Sequence, residues 1–299
     1  MKKYNLYQVD AFTKNRLEGN PAGVITNADG LSDCQMQQLA RELNNSETAF
    51  ICKSTTNEAD FRVRFFTPTA EVPICGHATI GAHYANAVEH NLESQTIKQE
   101  TQVGILPIDI VKDKDDYKII MTQGNISVAK PLETQYVNQI ITALGLSKED
   151  LNVRAPIAIA STGHYKVMIC IRDNNTLNDL QPNLELLKAI SEHINCNGFY
   201  VFTLNAEAQP LIHGRMFAPI SGISEDPVTG NANGPLGAYL VKYDLVKTND
   251  SFFEFEIIQG EKINRPGKMI VQVDIVNNEP VKVKIIGNAT IAFQSEIYL

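Results

Sequence analysis

The 299-residue chain lacks several signatures that would assign it to a class at once. Its five cysteines form no CxxC pair, so we expect reduced thiols rather than a disulfide framework or a cysteine zinc site. No basic run accompanies the formal net charge of -8, which argues against a nucleic-acid partner. No apolar run reaches the length of a membrane span, and Met1-Lys2-Lys3 leads into no signal-peptide core. These absences predict a cytoplasmic protein with no membrane partner.

Motifs for nucleotides and metals are missing as well. Neither GxGxxG nor GxxxxGK[ST] occurs, and the order of predicted strands and helices does not suit a Rossmann fold. His77 and His83 lack the HExxH spacing of a zinc site. The sequence therefore predicts no metal.

A pair of matching signatures, one in each half, is the most informative feature present. The first half contains the R-x-F-x-P segment Arg64–Pro68, an acidic stretch, and then Cys75–Gly81. The second half contains Arg215–Pro219, an acidic stretch, and then Thr229–Asn233. An ordered recurrence of five features indicates an ancient duplication. Each copy is typical of a strand, a loop and a glycine-opened helix, and two such helix N-termini facing each other would suit an anion.

The predicted fold class is α+β, with two similar domains at 1–125 and 126–299. Each domain is expected to be a barrel-like, mostly antiparallel sheet around one apolar helix, and the C-terminal strand is free to cross back to the first domain. The apolar helices are predicted from Gly76 and over Asn231–Tyr243. A turn is predicted at Gly19–Gly23, and Ser32 begins a capping-box helix.

Glu47 is the first candidate for chemistry, because it lies between a predicted helix end and an apolar strand. A partly desolvated carboxylate there would suit a general base. The alternative is an ordinary exposed loop glutamate.

Gly76 and His77 open the first buried helix, where glycine permits close approach of a ligand and free N–H groups bind anions. His77 could donate a hydrogen bond or relay a proton, or it could simply be satisfied by capping contacts. Asp226, Gly230 and Asn231 are the counterparts in the second half. Alone they are typical of a turn and a helix cap, whereas the pairing of the halves favours a pocket.

Cys75 could be a reactive thiol at a helix N-terminus, but the second half has no cysteine at the matching position. A racemisation with one thiol on each face of the substrate is therefore excluded. Arg64 and Arg215 could bind a substrate carboxylate. Strand arginines more often form ion pairs, here with Glu71 and Glu225.

These motifs resemble the PhzF-like (PhzC/PhzF) isomerase family of phenazine biosynthesis, and most closely its YddE-type branch. The resemblance spans nearly the whole chain and rests on five segments, which are Val9–Phe12, Gly19–Val24, Ser46–Phe50, Phe66–Thr79 and Glu225–Gly230. It implies a fold similar to diaminopimelate epimerase, with the site in the cleft between two alike domains.

The resemblance also implies roles for particular residues. Glu47 matches the family's catalytic acid/base, and Gly76 and His77 match its first substrate-contacting loop. Asp226, Gly230 and Asn231 match the second loop, although many relatives carry serine where this chain has Asn231. By resemblance the enzyme uses no metal and no organic cofactor and forms a homodimer.

Three functions are left open by this sequence. The leading one is a cofactor-independent isomerase of a small cyclic or α-substituted carboxylic acid, with Glu47, His77 and Asp226 as the catalytic group. The second is an amino-acid-type epimerase or racemase with Cys75 or Asp226 as a second base. The third is a non-catalytic protein that binds a small acid.

Overall fold

The computed structural model describes residues 1–205, 209–249 and 251–299. In chain order the strands are β1 (Lys3–Ala11), β2 (Asn20–Ile25), β3 (Thr48–Lys53), β4 (Phe61–Phe66), β5 (Glu71–Val72), β6 (Gln95–Thr101), β7 (Gly104–Asp113), β8 (Asp116–Thr122), β9 (Ser127–Pro131), β10 (Ala158–Ser161), β11 (Lys166–Ile171), β12 (Phe199–Leu204), β13 (Ile212–Ala218), β14 (Ile223–Asp226), β15 (Phe252–Gln259), β16 (Gly267–Val276), β17 (Glu279–Gly287) and β18 (Ala289–Tyr298). The α-helices are α1 (Asp33–Leu43), α2 (Gly76–His90), α3 (Thr134–Leu144), α4 (Asn174–Asp179), α5 (Leu184–Ile194) and α6 (Gly230–Lys242).

The chain divides into two compact units. Unit 1 consists of Met1–Thr122 together with Ile286–Leu299, and unit 2 consists of Gln123–Ile285. The last strand, β18, therefore belongs to unit 1, where it pairs antiparallel with β1.

Unit 1 is a sheet wrapped around α2. The helix packs against β18, β1, β2 and β3, which are neighbours in the sheet, and also against β7 and β8, which lie further along the strand order. Every residue from Gly76 to Ala87 is buried, because small side chains allow the strands to approach on all sides. Gly81 is one such position, since a Cβ there would already touch Val9 at 3.5 Å.

Unit 2 repeats this topology around α6, which packs against β9, β10, β11 and β16. The parallel pairs β2–β3 and β4–β6 of unit 1 correspond to the parallel pairs β11–β12 and β13–β15 of unit 2. The antiparallel pairs β3–β4 and β6–β7 correspond to β12–β13 and β15–β16. The predicted duplication and the α+β class with two alike units are confirmed.

The outer face of unit 2 carries a second apolar layer. Side chains of α3 and α5 pack with Val167, Ile169 and Ile171 of β11 and with Phe199 and Val201 of β12. Alternate residues of β11 and β12 therefore point away from this layer, toward α6. This alternation decides which side chains surround the start of α6.

The turn predicted at Gly19–Gly23 is wrong for most of its length, because Asn20 to Gly23 form the first part of β2. Gly19 does make a turn, with φ +61, and a Cβ there would lie 2.2 Å from the Ala11 carbonyl oxygen. Pro21 is tolerated in the strand because β3 pairs with β2 only from Gly23 onward. The helix predicted from Ser32 is confirmed, since Ser32 and Gln35 form the capping box of α1.

Within the described ranges, no helix combines the length and the apolar character needed to cross a lipid bilayer.

Candidate active site

Glu47 lies in a short, well-fixed connection between α1 and β3. The helix ends at Asn44, which has the left-handed φ of 52°. The next residue, Asn45, exchanges two 2.9 Å amide hydrogen bonds with Gln8 of β1. Thr48 then begins β3. These anchors on both sides hold the Glu47 side chain, which is 17% exposed, at the edge of the barrel.

His77, in the first turn of α2, is the nearest partner of Glu47. Its Nε2 lies 3.4 Å from Glu47 Oε2 and 3.3 Å from Ser46 Oγ, and the side chain is 8% exposed. Its Nδ1 lies 3.4 Å from the sulfur of Cys75. The structure therefore brings together Glu47, Cys75 and His77, which the sequence analysis proposed as candidates. It also adds Ser46, which was not a candidate.

The partners of His77 favour one tautomer. A carboxylate can only accept hydrogen bonds, so we assign the ring proton to Nε2, where it faces Glu47. Nδ1 is then an acceptor, and the Cys75 thiol is placed to donate to it. In this arrangement the Cys75 thiol faces an acceptor and His77 presents a donor to the carboxylate.

Both buried helices begin without a side-chain cap. Cys75 precedes α2 and Thr229 precedes α6, and neither side chain makes a capping hydrogen bond within the described part of the chain. By contrast, Ser32 and Asn183 cap α1 and α5. The first backbone N–H groups of a helix have no partner inside it, so each uncapped end suits an anion.

The loop of unit 2 is held by a buried hydrogen-bond network. Asp226 Oδ2 accepts from the Thr229 hydroxyl, and Gln259 Nε2 donates to the Asp226 carbonyl at 2.8 Å. Gln259 Oε1 accepts from the Thr229 N–H at 3.1 Å and from Asn233 Nδ2 at 2.9 Å. Tyr200 completes the network by donating to Asn233 Oδ1 at 2.6 Å. These bonds fix Asp226 just before Gly230 and Asn231, the first residues of α6.

The two signature arginines are bound to glutamates rather than left available for a ligand. Arg64 donates two 2.8 Å hydrogen bonds to Glu71, which lower the pKa of that carboxyl group. Arg215 donates to Glu225 at 2.9 and 2.7 Å. Each guanidinium also lies over the phenylalanine of its own R-x-F-x-P segment, at 5.1 and 5.0 Å from the ring centre. The ion-pair alternative is confirmed for both arginines.

Glu47, Cys75 and His77 could also hold a metal ion. One ligand atom from each lies within 4.8 Å of the others, and together they offer oxygen, sulfur and nitrogen. The proton-transfer chemistry considered below does not call for such an ion.

The strand registers show that the duplicated sites are not alike. Phe66 and Phe217 are equivalent, since each is the phenylalanine of an R-x-F-x-P segment. Phe66 pairs with Thr48 and Phe217 pairs with Phe199. Gly198, which precedes Phe199, therefore occupies the position equivalent to Glu47, which precedes Thr48. Gly23 likewise corresponds to Val167, and the buried Lys166 therefore takes the position of Ala22. Sequence analysis missed Lys166, although a single charge at the head of an apolar strand was a visible signal.

The chain is similar to known proteins over nearly its whole length. A sequence model of the family described as phenazine biosynthesis-like protein (PhzC-PhzF) matches residues 9–295. An uncharacterized isomerase of Clostridium acetobutylicum is 57% identical and covers 100% of this chain and 99% of its own length. The uncharacterized isomerase YddE of Salmonella typhimurium is 46% identical and covers 98% of each chain.

One relative has a named reaction. The trans-2,3-dihydro-3-hydroxyanthranilate isomerase of Pseudomonas chlororaphis is 31% identical over 94% of each chain.

Solved structures match over the full length. A PhzF-family protein of Bacillus anthracis has a TM-score of 0.88 at 32% identity and covers 100% of each chain. A hydroxyproline epimerase of Agrobacterium vitis has a TM-score of 0.64 at 14% identity, covering 99% of this chain and 93% of its own, and shares the fold alone. These matches confirm the predicted epimerase-like fold class.

Proposed function

We propose a proton-transfer reaction for this chain, which belongs to the phenazine biosynthesis-like (PhzC-PhzF) family and, within it, to the YddE-type branch. The chain is an isomerase, as its named relatives are. The proposal is that Glu47 removes a proton from carbon in a small cyclic or α-substituted carboxylic acid and returns it to another carbon on the same face.

One observation carries this proposal. The Glu47 carboxylate, itself mostly shielded from water, lies 3.4 Å from a histidine in the first turn of a buried helix that lacks a side-chain cap. A base, a proton donor and a set of backbone N–H groups are thus available within a few ångströms. Acid–base chemistry on carbon needs these three things.

The roles of the groups follow from their contacts. Glu47 is the proton acceptor, because its side chain lies beside the N-terminus of α2 and can still reach solvent or substrate. His77 orients the carboxylate through Nε2–H. The first N–H groups of α2 stabilise the enolate-like charge that develops when the proton leaves.

In this proposal His77 and Asp226 also shuttle protons on the other edge of the same substrate, and Gly230 and Asn231 help to bind it. Support comes from the network that fixes Asp226 against the uncapped start of α6. A shared cleft for the two loops stays a prediction. So do the homodimer, the cytoplasmic location and the absence of any metal or cofactor.

The epimerase alternative with Cys75 as second base is weakened by geometry. Two bases that act on opposite faces of one carbon must have that carbon between them, which requires a separation of about 6 Å or more. The Cys75 sulfur and a Glu47 oxygen lie within 4.8 Å of each other, in the same cluster of unit 1. The thiol is also placed as a donor to His77 rather than as a base.

The relative with a named reaction suggests the first substrate to test. The Pseudomonas chlororaphis protein is named for trans-2,3-dihydro-3-hydroxyanthranilate, a cyclic carboxylic acid that fits the proposed class. For this chain we propose the class of acid and the type of reaction. The individual acid is to be identified by the exchange screen.

The test is a proton-NMR screen in heavy water. Purified protein is incubated with dihydro-hydroxyanthranilate, amino acids and hydroxy acids, and loss of a C–H signal reports proton transfer. Glu47→Gln serves as the inactive control and Glu42→Gln, an exposed glutamate of α1, as the matched active control. Exchange by the wild type and by Glu42→Gln, with none by Glu47→Gln, supports the proposal. Full exchange by Glu47→Gln would contradict it.

A further inference from the structure

Unit 2 contains a buried cation at the start of α6 to which the reaction outlined above gives no role. Lys166, the first residue of β11, is 6% exposed. Lysine is rarely buried to this extent unless it is paired. Arg215, which is also strongly buried in this unit, is already bound to Glu225.

The alternation of β11 places the Lys166 side chain on the α6 side. Val167 and Ile169 belong to the outer apolar layer with α3 and α5. Lys166 and Met168 therefore point the other way, into the barrel that surrounds α6.

The strand register shows which turn of α6 lies beside Lys166. Met168 pairs with Tyr200, and Tyr200 bonds to Asn233 in the first turn of the helix. Further along the same strand, Phe202 lies with its ring 6.2 Å from that of Tyr239, so strand and helix run in the same direction. Lys166 precedes Met168 by two residues, about 6.6 Å nearer the helix start. It is thus level with the first N–H groups of α6.

The ammonium group of Lys166 has few partners for a buried charge. Among the described residues its one hydrogen bond goes to the Tyr165 carbonyl at 3.5 Å, and no carboxylate oxygen lies within 4.0 Å. Three N–H donors are available in a protonated lysine. A buried cation with so few partners is stabilised when an anion joins it.

The pKa of Lys166 stays above neutral despite its burial. Burial lowers that pKa to about 8, and Cys196 and Asp226 oppose the shift. A bound carboxylate would raise the pKa again. The site is therefore a cationic one under ordinary conditions.

We propose that Lys166 and the uncapped N-terminus of α6 form the site in unit 2 that binds the carboxylate of the substrate. This inference rests on the proposed function, since it takes the substrate to be a carboxylic acid. It assigns different roles to the duplicated positions. Glu47 is the base in unit 1, and its equivalent in unit 2 is Gly198. Lys166 is the cation in unit 2, and its equivalent in unit 1 is Ala22. Lys166 is a binding residue here and takes no part in the proton transfer.

The test compares acids with amides of the same shape. Binding of anthranilate, benzoate and proline, each beside its own amide, is measured by calorimetry at pH 7. The proteins are wild type, Lys166→Met, Lys166→Arg and Lys188→Met, the last of which changes an exposed lysine of α5. Thermal unfolding of each variant establishes that it is folded.

The wild type and Lys188→Met are expected to prefer at least one acid over its amide by about 10-fold or more, the effect of a close charge pair. Lys166→Met is expected to lose that preference while Lys166→Arg keeps most of it. Absence of any preference in the wild type, or a full preference in folded Lys166→Met, would overturn the proposal.

The two proposals can fail separately. Full proton exchange by Glu47→Gln contradicts the role of Glu47 but leaves the charge preference at Lys166 intact. An unchanged preference in Lys166→Met contradicts the anion site but leaves the role of Glu47 standing. With any acid that exchanges, Lys166→Met should raise KM much more than it lowers kcat.

Discussion

His83 makes the folded protein sensitive to acid. The ring is fully buried in the middle of α2, and its Nε2 lies 2.6 Å from Gln99 Oε1. Its Nδ1 has no hydrogen-bond partner within the described part of the chain. Burial lowers the pKa of His83 from 6.5 to about 4, because a protonated ring would carry its charge without solvent.

The direction of the effect follows from which state binds the proton. Between pH 6.5 and about pH 4 the unfolded chain is protonated at His83 and the folded chain is not. The free energy of unfolding therefore falls as the pH falls, by up to about 1.4 kcal/mol per pH unit. Between pH 7 and pH 5 the loss amounts to about 2 kcal/mol, a large part of a typical stability of about 5–15 kcal/mol.

Urea unfolding at the two pH values measures this loss. The chain has no tryptophan, so circular dichroism is the signal of choice. His83→Gln keeps a partner for Gln99 but cannot titrate, and it should lose about 2 kcal/mol less than the wild type between pH 7 and pH 5. His193→Gln, at an exposed position of α5, should behave as the wild type. Equal losses in the wild type and His83→Gln would refute the reasoning.

Two further predictions concern the duplicated arginines and the thiol. Arg215→Met leaves the Glu225 side chain, 11% exposed, without its partner and should cost about 3–5 kcal/mol in urea unfolding. Arg64→Met should cost less, about 1–3 kcal/mol, because the Glu71 side chain is 23% exposed, and equal costs would contradict the role given to burial. Cys75→Ser should exchange substrate protons at a rate well within about 10²-fold of the wild type, since a hydroxyl can still donate to the adjacent histidine. A loss as large as that of a missing base would favour the epimerase alternative.

Sequence analysis could predict the repeated architecture because its signals are local. Each R-x-F-x-P segment lies at the end of one strand, β4 or β13, and its arginine reaches a glutamate seven or ten residues further on, at position 71 or 225. The apolar helices were equally visible, since a run without charges that follows a glycine is typical of a buried helix. Both features recur in each unit at the same place in the topology.

The segment Gly19–Gly23 shows where local reasoning fails. Two glycines and a proline within five residues are typical of a turn, yet most of the segment is a strand. Glycine is needed at position 23 because the side chains of Leu43 and Thr48 approach its backbone closely. A Cβ there would lie 2.7 Å from Leu43 Cδ1 and 2.9 Å from Thr48 Oγ1. Such crowding depends on residues distant in sequence and cannot be deduced from the segment itself.

The site was predictable in part for the same reason. Gly76, His77, Gly230 and Asn231 follow from helix starts, which sequence marks well. The contacts of Ser46 with His77 and of Gln259 with Thr229 and Asn233 depend on strand register across the barrel. Register is set by packing of the whole sheet, which a single sequence does not reveal.

The central claim is that Glu47 is the base, and chemical rescue tests it most directly. Glu47→Ala removes the carboxylate and leaves a space that a small acid can enter. The rate of C–H exchange in heavy water, on an acid that the wild type exchanges, should fall by about 10²–10⁴-fold. Added formate should restore part of that rate by replacing the missing carboxylate. Exchange by Glu47→Ala at the wild-type rate would contradict the account.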